Sequence, residues 1–178
     1  LDSQSRIGGA TTVAALMDPA EVWTFYNVAN ELRATQVGVT ESAKFSLVVE
    51  GFIHDIDVVE YSGTRYALLS MGDQGIAVVN VTDPMNMVAV LRVHVNYAQA
   101  GITWTDGGGN VSDGNTISGM HGTISSLEVY TDAGATEHLL IGNSNYGLHK
   151  TLLSNLFDEA AGRDADGTLL IDSEVYTL

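Results

Sequence analysis

Short apolar runs separated by turns recur along the chain. Residues 13–17, 66–71 and 138–141 are three such runs. Each is followed by a short polar or glycine-bearing stretch, 18–21, 72–75 and 142–147, and then by a second apolar run, 22–28, 76–81 and 148–153. Runs of this length, rich in Val, Ile, Leu, Tyr and Thr and bounded by Gly, Asp and Asn, predict β-strands joined as hairpins. Further strands are predicted on either side. Segments 51–61 and 119–130 each begin with Gly, pass through a His and end in Tyr, and 32–39, 87–95 and 167–178 follow the hairpins. Alternation is clearest in Val88-Ala89-Val90-Leu91-Arg92-Val93-His94-Val95.

The hairpins form a repeat. Segments 10–30, 63–83 and 135–155 lie over one another without gaps, at offsets of 53 and 72 residues. Asn27 and Asn80 share a register, and Leu152 breaks it. Periods of this size are the sequence mark of repeat architectures. A leading strand, two hairpin strands and a trailing strand make a four-stranded antiparallel unit, as in a β-propeller blade. The expected fold is therefore all-β, a partial propeller of about three blades, with units at 1–50, 51–118 and 119–178. The first unit lacks a clear leading strand. The alternative is a β-sandwich built from duplicated hairpins. Propellers close with about four to eight blades, so the missing blades are expected from a longer chain or from neighbouring subunits. The start at Leu1 agrees with a processed or partial chain.

Composition narrows the function classes. The 178 residues are 45% hydrophobic, enough for a core, with no apolar run of membrane-spanning length. Twenty-two acidic residues face 7 basic ones, a net charge of -15. Such a chain repels phosphate backbones and anionic lipid, so neither nucleic acid nor membrane insertion is expected. It favours solubility and cation binding. The absence of cysteine removes disulfides, thiolate metal sites and thiol nucleophiles together.

The stretch Gln74-Gly75-Ile76-Ala77-Val78-Val79-Asn80-Val81-Thr82-Asp83-Pro84 resembles the signature of the LVIVD-repeat propellers. Residues 76–80 stand in the five places of that name and Val81-Thr82-Asp83-Pro84 in the run that follows it. Asn80 replaces the usual Asp. Trp23-Thr24-Phe25-Tyr26-Asn27 and Leu148-His149-Lys150-Thr151-Leu152 are diverged copies. The resemblance implies a propeller fold and a secreted or cell-surface setting.

Four groups of residues are candidates for chemistry. His54 and His121 come early in the two leading strands, and the resemblance implies that such histidines border a propeller channel and hold a metal there. The plainer role is a strand-edge His at a turn. Asp158, Glu159, Asp164 and Asp166 are gathered in one short segment, as hard cations such as calcium require. The EF-hand spacing fails, and an acidic solvated loop is the plainer reading. Asp106 and Asp113 flank a Gly- and Asx-rich loop at 105–115 and are weaker cation ligands. Asn80 and Asn110 head glycosylation sequons, Asn110 on the more exposed segment. No Gly-x-Ser-x-Gly elbow occurs. The leading expectation is an extracellular structural or interaction module that pairs with other chains, or with copies of itself, through sheet edges and polymerises into a filament. Calcium is the one cofactor expected. The alternatives are a metal-dependent enzyme using His54 and His121 and a carbohydrate-binding propeller with glycan ligands.

Overall fold

In a computed structural model of the chain, the described residues are 13–17, 22–38, 44–49, 51–93, 103–105, 111–113, 123–144, 147–158, 161–162, 169 and 173–176. They form an all-β protein. The first sheet runs β1 (Val13–Met17), β2 (Val22–Val28), β3 (Glu31–Gln36) and β4 (Lys44–Val48). The second runs β5 (Asp55–Tyr61), β6 (Thr64–Ser70), β7 (Ile76–Asn80) and β8 (Val88–Val93). After a short ribbon of β9 (Thr103–Thr105) and β10 (Val111–Asp113), the third runs β11 (Ile124–Thr131), β12 (Glu137–Asn143), β13 (Gly147–Leu152) and β14 (Ser173–Tyr176). Each four-stranded sheet is an antiparallel meander in chain order. One short helix, α1 (Leu153–Phe157), follows β13.

The turns explain why the strands stop where they do. At Ser62-Gly63, between β5 and β6, both residues have positive φ, 51° and 76°. That is the backbone of a type I′ hairpin turn, whose twist matches the strands it joins. Between β6 and β7, Gly72 and Gly75 have φ of 62° and 85°, and Met71 N donates to Gly75 O at 2.9 Å. In the third sheet Gly147 repeats the second of these, at φ 90°, 72 residues further on.

The second sheet is the middle layer. Ala67, Leu68, Leu69 and Ser70 of β6 are all buried, as are Ile76, Ala77, Val78 and Val79 of β7, so both faces of the sheet are covered. Leu68, Ile76 and Val78 pack with Ile124, Leu127, Leu139 and Ile141 of the third sheet. On the opposite face Ala67, Leu69, Ala77 and Val79 pack with Trp23, Phe25, Leu32 and Ala34 of the first. Strands buried on both faces read as continuous apolar runs rather than alternating ones, which is how this segment looks in sequence.

Three departures from the sequence expectation concern the connections. The first sheet has an unexpected fourth strand, β4, which pairs with β3 on the trailing side. The stretch 105–115, read as a loop, contributes to the β9–β10 ribbon. Leu153–Phe157, read as the close of a strand and a polar pair, is the helix α1, whose Leu153 and Leu156 are fully buried in the core between the second and third sheets.

Candidate functional site

The leading strands β5 and β11 lie side by side at the junction of the second and third sheets, and two carboxylates lace them together. Asp55 and Asp57 are two apart on β5, hence on one face. Asp55 accepts from Ile56 N at 2.9 Å through Oδ1 and from Leu127 N at 3.0 Å through Oδ2. Asp57 accepts from Val58 N at 2.8 Å and from Val129 N at 2.8 Å in the same way. At the start of β11, Ile124 N donates to Gly72 O at 3.0 Å. These carboxylates take the place of a strand partner for edge N–H groups that would otherwise be left unpaired. Burial pushes the Asp57 carboxyl above its ordinary value, against the lowering effect of its two backbone donors. Asn27 makes the matching tie between the first and second sheets, donating from Nδ2 to Ile53 O at 3.0 Å.

The sequence candidates are placed as follows. His54 is exposed and stands just before β5. Its ring lies so close over Gly72 that a β-carbon there would fall 2.9 Å from Nε2. His121, with which it was to share a metal, lies outside the described residues. Asp55, next to His54 in sequence, is part of the lacing. Asp158 caps the end of α1, where its Oδ1 accepts from Ala161 N at 2.9 Å. Its companions Glu159, Asp164 and Asp166 lie outside the described residues, as do Asp106 and Asn110. Asp113 is in β10. Among the described residues no three His, Asp or Glu side chains are grouped as a metal site. Asn80 is half-buried, and its Oδ1 accepts from Thr82 N at 3.0 Å while Thr82 Oγ1 accepts from Arg65 N at 3.1 Å. Asn80 therefore serves the turn that leaves β7, and Thr82 ties that turn to the start of β6.

The surface that stands out is the outer rim of the second sheet. β8 is its last strand, and no described strand pairs with its outer edge. Val88 is 56% exposed and Val90 51%. A groove of 390 Å3 runs from this edge to the end of β4, lined by Val48, Val49, Ala77, Ala89, Val90 and Arg92. Val48, at the end of β4, is 69% exposed and extends the apolar surface. Edges are normally guarded by Lys, Pro, a bulge or a cover. β8 has no Lys or Pro. It has a bulge, since Val78 opposes Leu91 and Val79 opposes Ala89, leaving Val90 as the extra residue. Regular alternation in 88–95 pointed to a strand here, but only the sheet order shows that it is an edge.

Asp132 organises a turn in the third sheet. Asp132, between β11 and β12, accepts from Gly134 N at 2.8 Å, from Thr136 N at 2.9 Å and contacts His138 Nε2 at 3.0 Å. The Thr136 amide, then His138, holds its carboxyl below the usual carboxylate value of 3.8. A depressed folded-state pKa gives stability that is present above the unfolded value and lost as pH falls through the folded one. The wild type is therefore expected to lose stability against denaturant on acidification below the ordinary value of 3.8, with Asp132→Asn showing a shallower loss. Equal slopes for the two proteins would remove Asp132 from the acid response.

No family model matches the chain, and no curated protein matches it.

Proposed function

We propose that this chain is a non-enzymatic extracellular interaction module, built from blades of the propeller-repeat type, that associates with further copies of itself through the outer edge of the second sheet. Support for the blade reading comes from three meanders stacked face to face in chain order, with leading strands β5 and β11 laced together and β8 and β14 at the opposite edges. The observation that carries the function is the apolar edge Val88-Ala89-Val90, open to solvent beside Val48. Antiparallel addition of a second β8 would satisfy its outward backbone groups and cover these side chains. The bulge at Val90 interrupts the ladder, which limits such a contact to the few residues beside it.

Copies carrying a net charge of -15 repel one another at long range. Salt screens that repulsion, so association through an apolar edge is expected to strengthen as salt rises. Binding of a basic partner would weaken instead. Sedimentation velocity over a range of protein and salt concentrations tests this. The wild type is expected to self-associate, more so in high salt, and a Val88→Lys/Val90→Lys variant to remain monomeric with an unchanged unfolding midpoint. A wild type that stays monomeric at every concentration, or a variant that assembles as well as the wild type, would refute the reading.

A further inference from the structure

A second surface has a different chemistry. At the end of the molecule where the β5–β6 turn meets the β11–β12 hairpin, a cleft of 440 Å3 opens between the second and third sheets. Its lining includes Tyr61, Thr131, Thr136, Glu137, Leu152 and Ser154. We propose that this cleft binds a neutral saccharide.

Two features make the cleft a built site rather than a surface dimple. Its aromatic wall is held from behind. Tyr61 stacks on Phe157 with ring centroids 4.3 Å apart and planes 7° from parallel, and Tyr66 packs on the same ring at 4.8 Å. Phe157 is fixed in turn by α1, whose Leu153 and Leu156 are fully buried. The opposite wall is the β11–β12 turn, in which Asp132 fixes the amides of Gly134 and Thr136 and contacts His138. That places Thr136 and Glu137 on a rigid support. Walls fixed before a ligand arrives reduce the ordering cost of binding.

The chemistry of the lining selects the ligand class. Thr131, Thr136 and Ser154 carry hydroxyls that both donate and accept, and Glu137 carries an acceptor-only carboxylate. A polyol ring offers the complement, with hydroxyls that donate to the carboxylate and exchange bonds with the hydroxyls, and C–H faces that rest on the Tyr61 ring or Leu152. Among the described residues no Lys or Arg lines the cleft, and Glu137 repels anions, so phosphorylated or acidic sugars are disfavoured. The apolar enclosure that a hydrophobic ligand needs is missing, because Glu137 and Thr136 are exposed.

This proposal does not depend on the β8 edge. Its test is an NMR titration of the 15N-labelled full chain with a panel of neutral probes: glucose, galactose, mannose, N-acetylglucosamine and their short oligomers. At least one probe is expected to shift the amides of Thr131, Thr136 and Glu137 together and saturably, with a millimolar Kd. Glu137→Ala, at an exposed position that leaves the fold intact, is expected to weaken that probe about tenfold. Val88→Lys/Val90→Lys is expected to bind it as the wild type does. The proposal is overturned if no probe moves these amides, if Glu137→Ala binds equally well, or if calcium chloride alone produces the same shifts.

Discussion

Leu68→Ala and Leu69→Ala are each expected to lower the unfolding free energy by about 2–5 kcal/mol. The two residues are neighbours on one strand, so their side chains point to opposite faces of the second sheet. In a two-layer sandwich one of them would face water and its truncation would cost little. Here both are fully buried. Leu68 packs among Ile76, Val78 and the third-sheet residues Leu139 and Ile141, while Leu69 packs among Ala77, Val79 and the first-sheet residues Phe25 and Leu32. Each truncation removes apolar contacts and leaves a void that the surrounding close-packed sheets cannot fully refill. Val88→Ala, on the exposed end of β8, is the control and is expected to stay within about 0.5 kcal/mol of the wild type. The comparison needs denaturant midpoints at an unchanged m-value. If either leucine variant matched the Val88 control, one face of the middle sheet would be uncovered and the three-layer arrangement wrong.

The core strands were legible because their signal is local. The apolar runs 13–17 and 22–28 coincide with β1 and β2, and 76–81 and 148–153 run one residue past β7 and β13. Glycines at 72, 75 and 147 mark turns whose positive φ only a residue without a β-carbon adopts easily. β4 was missed because Lys44-Phe45-Ser46-Leu47-Val48 is short and follows no hairpin signal, so only its pairing with β3 makes it a strand. Helix α1 was missed because five residues are too few for a helical period to register, and Leu153 and Leu156 read equally well as the end of an apolar strand. The site residues were harder still. A pair such as Asp55-x-Asp57 looks like solvent-facing alternation until a strand from 72 residues further along supplies the N–H groups that it accepts. Cleft residues Tyr61, Glu137 and Ser154 come from three different elements, and no spacing rule joins them. The segment gathering Asp158, Glu159, Asp164 and Asp166 drew notice by composition, yet Asp158 serves a helix end.

Asp55→Asn/Asp57→Asn is expected to cost about 2–4 kcal/mol, with the loss centred on the junction of the second and third sheets. Each carboxylate presents two acceptor oxygens to two backbone donors, one on its own strand and one on β11. An asparagine side chain offers one acceptor, and its amide nitrogen would face the second N–H as donor against donor. One backbone N–H per site is then left without a partner, at about 1–3 kcal/mol for a buried donor. Relief of the burial cost of the charge, which already pushes Asp57 upward, offsets part of this. That upward shift also fixes the sign of the pH dependence. A carboxyl whose folded pKa is raised gives stability that is full below its unfolded value and lost as pH rises through the folded one. As pH falls through the raised folded value of Asp57 the burial cost of its charge is relieved, opposite in sign to Asp132; Asp57→Asn, already neutral, lacks this step, so the Asp57 site contributes less of the double variant's loss than the Asp55 site. Amide exchange distinguishes the lacing from a general loosening. In the double variant Leu127 and Val129 should exchange faster out of proportion to Leu139 and Ile141, which lie one strand inward in the same sheet. Uniform acceleration across the third sheet would mean that the carboxylates stabilise the fold as a whole and do not hold one edge to another.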